Sequence, residues 1–218
     1  MTNLIDISPP VNIHSIVWPG DSPFQMTTQW DIGAGDSVTV GTVTTTTHIG
    51  SHIDAPSHVV QGAADVSQVP LESCIGQCLV IDVSDLIDRT SSPYGAAAAK
   101  HIREKVLHYT QEPIERLLLK HLNTAPRVWN PDTPGIDPSV MRWFANQGGK
   151  LMGIDLFSFD AADSKMLHCH RAAIEAGIVL LEGLDLCRAP EGPAELIALP
   201  LRWEGADASP VRAVLRHE

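Results

Sequence analysis

Short runs of apolar and β-branched residues along the chain predict several strands. Runs of this kind, bounded by Gly, Pro or polar residues, are typical of strands rather than helices. They occur in NLIDISPPVN, where Pro9 and Pro10 end the strand, and in SVTVGTVTTTT (37–47), CLVIDVSDLI (78–87), LMGIDLFS (151–158), IVLLEG (178–183) and AELIALPLRW (194–203). The segment VWPGDSPF predicts a turn, because Pro19 fixes φ and Gly20 tolerates unusual φ values.

Three segments have the composition and end signals of helices. The first, GAAAAKHIREKVLHYTQEPIERLLLKHL (95–122), is rich in good helix formers and is interrupted at Pro113. The second, RVWNPDTPGIDPSVMRWFANQGGK (127–150), predicts a short strand, a Pro-rich loop and a helix with Asp137 as N-cap. The third, DSKMLHCHRAAIEAG, predicts a helix that ends at Gly177 in the left-handed conformation.

The order of these elements predicts a mixed α/β fold in one domain spanning residues 1–218. A chain of 218 residues fits one domain and can bury a sizeable core. The strands come in runs that do not alternate strictly with helices, so a simple doubly wound sheet is not favoured. No internal repeat or low-complexity linker divides the chain.

Composition narrows the classes of partner. The formal net charge of −11 disfavours nucleic acid and anionic membranes, since both are bound through basic patches. No apolar run approaches the ~20 residues of a membrane-spanning helix, and no signal peptide is expected. The four cysteines, Cys74, Cys78, Cys169 and Cys187, have no zinc-ribbon spacing, which favours reduced thiols and a cytoplasmic protein.

The segment THIGSHIDAPSHVV (47–60) concentrates potential metal ligands. Gly50 and Pro56 oppose a helix here, and in an extended chain positions 48, 52 and 54 share one face. His48, His52 and Asp54 together predict a metal site of nitrogen and oxygen donors, which suits Zn²⁺, with Mn²⁺ or Fe²⁺ as alternatives. The simpler alternative is that they are ordinary core or loop residues.

Two further groups could take part in the same chemistry. His58 follows Pro56 and so leaves the line of the strand, which suits a proton donor and acceptor, with metal ligation or ligand support as the alternative. His168 and His170 lie on opposite sides of the predicted helix, so only one of them can face a given metal. Glu182 ends an apolar strand, where a carboxylate indicates a bound group.

The segment HIGSHIDAPSH resembles the pattern His-x-Gly-Thr/Ala-His-x-Asp-x-Pro-x-His of the metal-dependent cyclase/amidohydrolase family. Within this family the chain is most similar to the bacterial arylformamidases, the kynurenine formamidases. The resemblance continues in order along nearly the whole chain, through DISPPV, VWPGDSPF, GIDLFSFDAADSK and ELIALPLRWEGADASPVRAVL. It implies a mixed β-sheet or barrel-like core with flanking helices, of the swivelling β/β/α type.

The resemblance also implies roles for individual residues. His48, His52 and Asp54 would hold one zinc ion, and Asp54 would bridge to a second, completed by His170 and Glu182. The family spacing of twelve positions before Glu182 selects His170 over His168. His58 would transfer protons, and Trp18 would stack on the aromatic ring of the substrate; without the resemblance, Trp18 would be interpreted as a turn residue packed on the core.

The expected activity is hydrolysis of N-formylkynurenine, a small aryl formamide, to kynurenine and formate by a homodimer or larger homo-oligomer. One alternative is a related hydrolase that opens a cyclic amide such as isatin, and another is a metal-binding protein without catalytic activity. Ser51 replaces the usual Thr or Ala of the motif. RVWNPDTPG and the Ala-rich segment also depart from the family pattern, which affects the substrate prediction more than the metal site.

Overall fold

A computed structural model describes residues 3–86, 96–133 and 135–217 of the chain. The strands are β1 (Asn3–Asp6), β2 (Gln25–Trp30), β3 (Val40–Thr44), β4 (His52–Asp54), β5 (Ile75–Asp82), β6 (Arg116–Lys120), β7 (Leu151–Ile154), β8 (Val179–Glu182), β9 (Gly192–Ile197), β10 (Ala208–Pro210) and β11 (Val214–His217). The helices are α1 (Leu71–Cys74), α2 (Ala96–Tyr109), α3 (Pro138–Asn146) and α4 (His168–Ala176), and short 3₁₀ turns lie at Ile32–Ala34, Pro56–His58, Val66–Gln68 and Ser84–Leu86.

Nine of these strands form one sheet, in the order β1-β11-β9-β5-β6-β7-β8-β4-β10. The central strands β5 to β8 are parallel, because α2, α3 and α4 carry the chain back between them. The remaining pairs are antiparallel. The sheet curls into half a barrel with few helices, so the predicted mixed α/β, barrel-like fold class is confirmed.

Both faces of the central sheet are buried. The helices cover one face, where Leu117 and Leu119 of β6 pack with Phe144 of α3. Leu118 points to the opposite face and packs in a second core with Val80 and Leu181. A parallel strand that is covered on both faces consists of consecutive apolar residues. The three leucines of RLLLK in β6 are buried in this way.

Several elements predicted from the pattern are confirmed. The strands at the N-terminus and at residues 151–154 and 179–182 are present, and Asp137 caps α3 by accepting a hydrogen bond from the Ser139 amide. Gly177 ends α4 in the left-handed conformation with φ of 70°. Gly95 and Ile87, at the ends of two predicted elements, lie outside the described residues.

Other predictions were wrong. Residues 116–120 form β6 rather than the second part of a helix, because burial on both sheet faces removes the alternation that marks a strand. Residues 127–129 form no strand. The strand predicted at 37–47 covers only Val40–Thr44, and that at 194–203 ends at Ile197, whereas β2, β10 and β11 were not predicted.

Strands β2 and β3 form a separate hairpin whose strand residues are all exposed. Several apolar side chains of the hairpin and its connection are exposed to solvent, with exposed fractions of 65% for Met26, 56% for Trp30, 62% for Ile32 and 54% for Val43. In the described part of the chain, no helix combines the length and the apolar character needed to cross a membrane.

The ends of β4 and β8 approach closely at two glycines. Gly183 has φ of +67°, and a Cβ atom there would lie 2.3 Å from the carbonyl oxygen of Gly50. The Ser51 hydroxyl donates a hydrogen bond to the Gly183 carbonyl at 2.9 Å. Glycine at 183 is therefore required by both the backbone conformation and the contact.

We expect Gly183→Ala to destabilise the protein more than an alanine that has left-handed backbone but no close contact. Gly62→Ala is the matched control, because Gly62 has φ of +76° with open space around it. The control should lose about 1 kcal/mol of unfolding free energy, and Gly183→Ala about 1–3 kcal/mol more. Denaturant unfolding measures both, and equal losses would show that the Gly50 contact is not tight.

Candidate metal centre and active site

The antiparallel pairing of β4 with β8 brings three of the predicted ligands together. His52 is the register partner of Glu182, and Asp54 lies two residues further along β4 on the same face. The His52 Nε2 atom is 3.5 Å from an oxygen of Asp54 and 3.5 Å from an oxygen of Glu182. Its Nδ1 atom faces the Gly50 carbonyl oxygen at 2.9 Å and can donate to it, which leaves Nε2 free for another partner.

The first turn of α4 supplies His170. Asp160 caps this helix, since its carboxylate accepts hydrogen bonds from the amides of Cys169 and His170. The same carboxylate lies 2.6 Å from the His170 Nδ1 atom and accepts from it. The Nε2 atom is thereby turned towards Asp54, at 3.4 Å, and Glu182, at 3.3 Å. His168, two positions earlier, is exposed, so the structure places His170 and not His168 at the centre.

His48 reaches the centre from a turn and not from a strand. The expectation that positions 48, 52 and 54 share one extended strand was wrong, because β4 begins at His52 and is preceded by a bend in which Gly50 has φ of 60°. The His48 Nδ1 atom nevertheless lies 3.0 Å from Asp54. Its Nε2 atom lies 3.0 Å from a carboxylate oxygen of Asp207.

His58 lies in the 3₁₀ turn after Pro56, as expected from the proline. Its ring centre is 4.3 Å from that of His48 and 5.9 Å from that of His170. The His58 Nδ1 atom faces Asp207 at 3.4 Å. The side chain is 31% exposed, so this imidazole stands at the edge of the centre with access to solvent.

The carboxylates of the centre are held ionised although they are buried. Burial opposes ionisation of Asp54, but the imidazoles of His170 and His48 beside it hold its pKa well below the ordinary value. Burial and the Asp54 charge oppose ionisation of Glu182, yet the imidazoles of His170 and His52 beside it lower its pKa. Two adjacent buried anions require a compensating positive charge.

In the absence of any other cation, the imidazoles supply that charge. Burial disfavours the charged form of His48, but the hydrogen bonds and charges of Asp54 and Asp207 raise its pKa to about 9. The pKa of His170 is likewise raised, because Asp160, Asp54 and Glu182 outweigh its burial. Although burial opposes it, hydrogen bonds from His48 and Thr47 lower the pKa of Asp207 to about 2.

These residues fit a divalent metal. Both carboxylate oxygens of Asp54 and the His52 Nε2 atom are buried, and the imidazoles and carboxylates around them lack the alignment of a regular hydrogen bond. Tetrahedral bonds of about 2.0–2.2 Å place ligand atoms about 3.3 Å apart. The separations between the His52 and His170 nitrogens and the two carboxylates, 3.3 to 3.5 Å, agree with this value. The donors are nitrogen and oxygen without thiolate, which suits zinc or manganese.

The ligand atoms fall into two groups that share Asp54. Donor atoms of His48, Asp54 and His58 lie within 4.8 Å of one another, and so do those of His52, Asp54 and Glu182. This grouping differs from the expected pairing of His48 with His52, and it includes His58. The structure therefore brings all five expected ligands together, while the division between two ions stays a prediction.

Trp18 lies in the predicted turn, where the Asp21 amide donates to its carbonyl oxygen. The Thr46 amide donates a hydrogen bond to the Ser22 carbonyl oxygen, and this bond holds the turn beside the segment that precedes His48. The half-buried Trp18 ring packs edge-on against Trp129, with ring centres 4.6 Å apart, and Trp129 packs against Phe157 at 5.6 Å. We refer to Trp18, Trp129 and Phe157 as the aromatic cluster.

Three residues at the site were not identified from the sequence. Asp160 orients His170, Asp207 contacts both His48 and His58, and Trp129 completes the aromatic cluster. The segments that contain Asp160 and Asp207 do belong to the stretches that carry the family resemblance. Their spacing, however, does not reveal that residue 207 lies beside residues 48 and 58.

Comparisons with known proteins identify the family of the chain. The Cyclase family model, described as "Putative cyclase", matches residues 5–161. A protein of Bordetella avium (strain 197N) named "Kynurenine formamidase" is 39% identical over 216 residues, 99% of each chain. A protein of the same name from Bordetella petrii is 38% identical over the same share of each chain.

Solved structures share the fold. "The Structure Of Potential Metal-Dependent Hydrolase With Cyclase Activity" has a TM-score of 0.79 at 24% identity and covers 100% of this chain and 99% of its own. Isatin hydrolase A from Labrenzia aggregata has a TM-score of 0.80 at 21% identity, covering 99% and 93%. Given the family-model match and the full-length relatives, the chain belongs to the Cyclase family.

Proposed function

We propose that this protein is a dinuclear zinc hydrolase that cleaves N-formylkynurenine to kynurenine and formate. The observation that carries the proposal is the convergence of three imidazole nitrogens on the buried carboxylate of Asp54 beside Glu182. The full-length relatives named kynurenine formamidase support the choice of reaction.

His48, His52, Asp54, His170 and Glu182 would hold the metal, with Asp54 shared between two ions. Each imidazole offers one nitrogen, because its other nitrogen is bonded to Gly50, Asp160 or Asp207. When bound, divalent metal at this centre supplies activation of water near neutral pH and polarisation of the formyl oxygen.

His58 is the residue placed to move protons. If Asp207 accepts from its Nδ1 atom, the Nε2 atom is the free base that can take a proton from the attacking water. The same nitrogen can then protonate the leaving arylamine, so that the C–N bond breaks without releasing an amide anion. Asp207 would orient the ring, as a carboxylate does for a catalytic histidine.

The aromatic cluster is the proposed binding site of the substrate's aryl ring, and Trp18 would stack on that ring. Next to it lies a cavity of about 400 Å³, lined by Phe157, Arg127 and Asp185 among others. Arg127 and Asp185 offer opposite charges to the amino-acid group that N-formylkynurenine carries. Isatin lacks such a group, so this cavity favours the formamide over a cyclic amide.

A homodimer or larger assembly in the cytoplasm completes the proposal. The β2–β3 hairpin exposes Met26, Trp30 and Ile32, and a two-stranded hairpin is marginally stable in water by itself. A second copy of the chain could cover these side chains. The four cysteines are free, which agrees with a reducing compartment.

Metal content tests the ligand assignment. Protein purified without chelator should contain about two metal ions per chain. Glu182→Ala should reduce this number, because it removes a carboxylate that faces two imidazoles. His168→Ala is the control, since His168 is exposed on the same helix as His170. A wild-type content of one ion that Glu182→Ala leaves unchanged would refute the two-ion assignment.

Stabilisation by metal should increase with pH. In the metal-free protein the His48 pKa is raised from 6.5 to about 9, so stabilisation by its proton is complete below 6.5 and disappears as the pH rises through 9. Metal must displace this proton. The difference in Tm between metal-loaded and chelated protein should therefore grow between pH 6.5 and 9.

Asp207→Asn should shift the increase in this Tm difference to lower pH, because it removes one of the charges that raise the His48 pKa. Thermal unfolding of both proteins across this pH range makes the comparison. A Tm difference that does not vary with pH would contradict the assignment of His48 as a ligand.

The activity is tested with N-formylkynurenine and isatin on one metal-loaded preparation. We expect the formamide to be hydrolysed with the higher kcat/KM. His58→Ala should lower that value about 10²–10⁴-fold without loss of metal, whereas His168→Ala should leave it unchanged. Ring opening of isatin without turnover of the formamide would overturn the proposed substrate.

A further inference from the structure

A second cavity, of about 210 Å³, opens onto the other side of the metal centre. Asp54, His58 and His170 form its polar end. We refer to it as the Ile174 cavity, after one of its wall residues. Asp65 and Gln68 also line it, and the rest of its wall is apolar and includes Val59, Ala64, Val69, Ile174 and Leu180.

The register of β4 and β8 separates the Ile174 cavity from the aromatic cluster. His52 pairs with Glu182 and Asp54 pairs with Leu180, so the cavity lies at the Asp54–Leu180 end of this strand pair. Phe157 lines the larger cavity, which also contains the charged Arg127 and Asp185, together with Gly50 and Gly183 at the opposite end. The centre therefore stands between two cavities of different character.

An aryl amide likewise has two groups, one on each side of the bond that breaks. One is the arylamine that leaves, and the other is the substituent on the carbonyl carbon. In a formamide this substituent is a hydrogen atom, which needs no cavity. An apolar cavity of about 150 Å³ can hold benzene, so the Ile174 cavity has room for several carbon atoms. It is poorly suited to a zwitterionic arylamine, because most of its wall away from the metal centre is apolar and would leave charges unpaired.

We propose that the Ile174 cavity is an acyl-binding site and that the protein also hydrolyses N-aryl amides with short unbranched acyl chains, from acetyl to butyryl. This inference rests on the proposed function, since it uses the same centre. Water adds its oxygen to the carbonyl carbon, the C–N bond breaks, and the nitrogen receives a proton by way of His58. The products are the arylamine and an aliphatic carboxylic acid.

The test compares acetanilide, propionanilide and butyranilide on the metal-loaded protein, with formanilide as the reference. These three amides have similar intrinsic reactivity, so differences report binding of the chain. Each added CH₂ should raise kcat/KM about three- to fourfold, which corresponds to burial of one methylene. A fall in kcat/KM from acetyl to butyryl would overturn the proposal.

Ala64→Leu narrows the cavity, and Ala63→Leu is the matched control, because Ala63 is the neighbouring residue and does not line it. Ala64→Leu should abolish the increase with chain length and change formanilide hydrolysis less than twofold, whereas Ala63→Leu should retain the increase. A higher KM for formanilide in Ala64→Leu would instead place the aryl ring in this cavity and refute the acyl site.

A second measurement does not depend on turnover. Formate, acetate, propionate and butyrate are titrated into the metal-loaded protein by calorimetry. From acetate to butyrate the affinity should rise about three- to fourfold per CH₂, and Ala64→Leu should remove the rise. Equal affinities would refute the acyl site even if formamides are cleaved. A rise in affinity without formamide cleavage would support the acyl site while refuting the proposed function.

Discussion

The buried carboxylate of Asp54 determines how the rest of the centre is arranged. An ionised carboxylate shielded from water needs partners, and here three imidazoles face it. Each imidazole can do so only because its other nitrogen is engaged by an oxygen atom, from Gly50, Asp160 or Asp207. The orientation of the proposed ligands is therefore determined by groups that are not themselves proposed ligands.

These orienting groups come from distant parts of the chain, and the fold brings them in. Asp160 lies between β7 and α4, where it both caps the helix and holds His170. Asp207 precedes β10, whose Ala208 pairs with Asp54 on the edge of the sheet. The Ala55 amide donates to the Asp207 carbonyl, which fixes this segment against β4. The edge pair β4–β10 thus holds Asp207 beside His48 and His58.

The sequence predicted the parts of this structure that depend on local chemistry. The Asp137 cap and the left-handed Gly177 follow from short-range rules, and they agree with the structure. The metal site proposed for HIGSHIDAPSH follows from local composition, and it stays a prediction. Residues 116–120 were predicted as helix because a strand buried on both faces shows no alternation. The contacts of Asp207 with His48 and His58 depend on strand pairing across about 150 positions, which no local pattern encodes.

The centre lies between two unlike cavities, so the residues proposed to carry out the reaction differ from those proposed to select the substrate. Strand β4 with the turn that precedes it, strand β8 and the start of α4 supply the proposed ligands, whereas Trp18, Arg127 and Trp129 lie in other connecting segments. Loops tolerate substitution more readily than paired strands. The segment that contains Trp129 is also one that departs from the family pattern. Changes in these loops can therefore alter which amide is accepted while the charges around Asp54, and with them the proposed hydrolytic chemistry, stay the same.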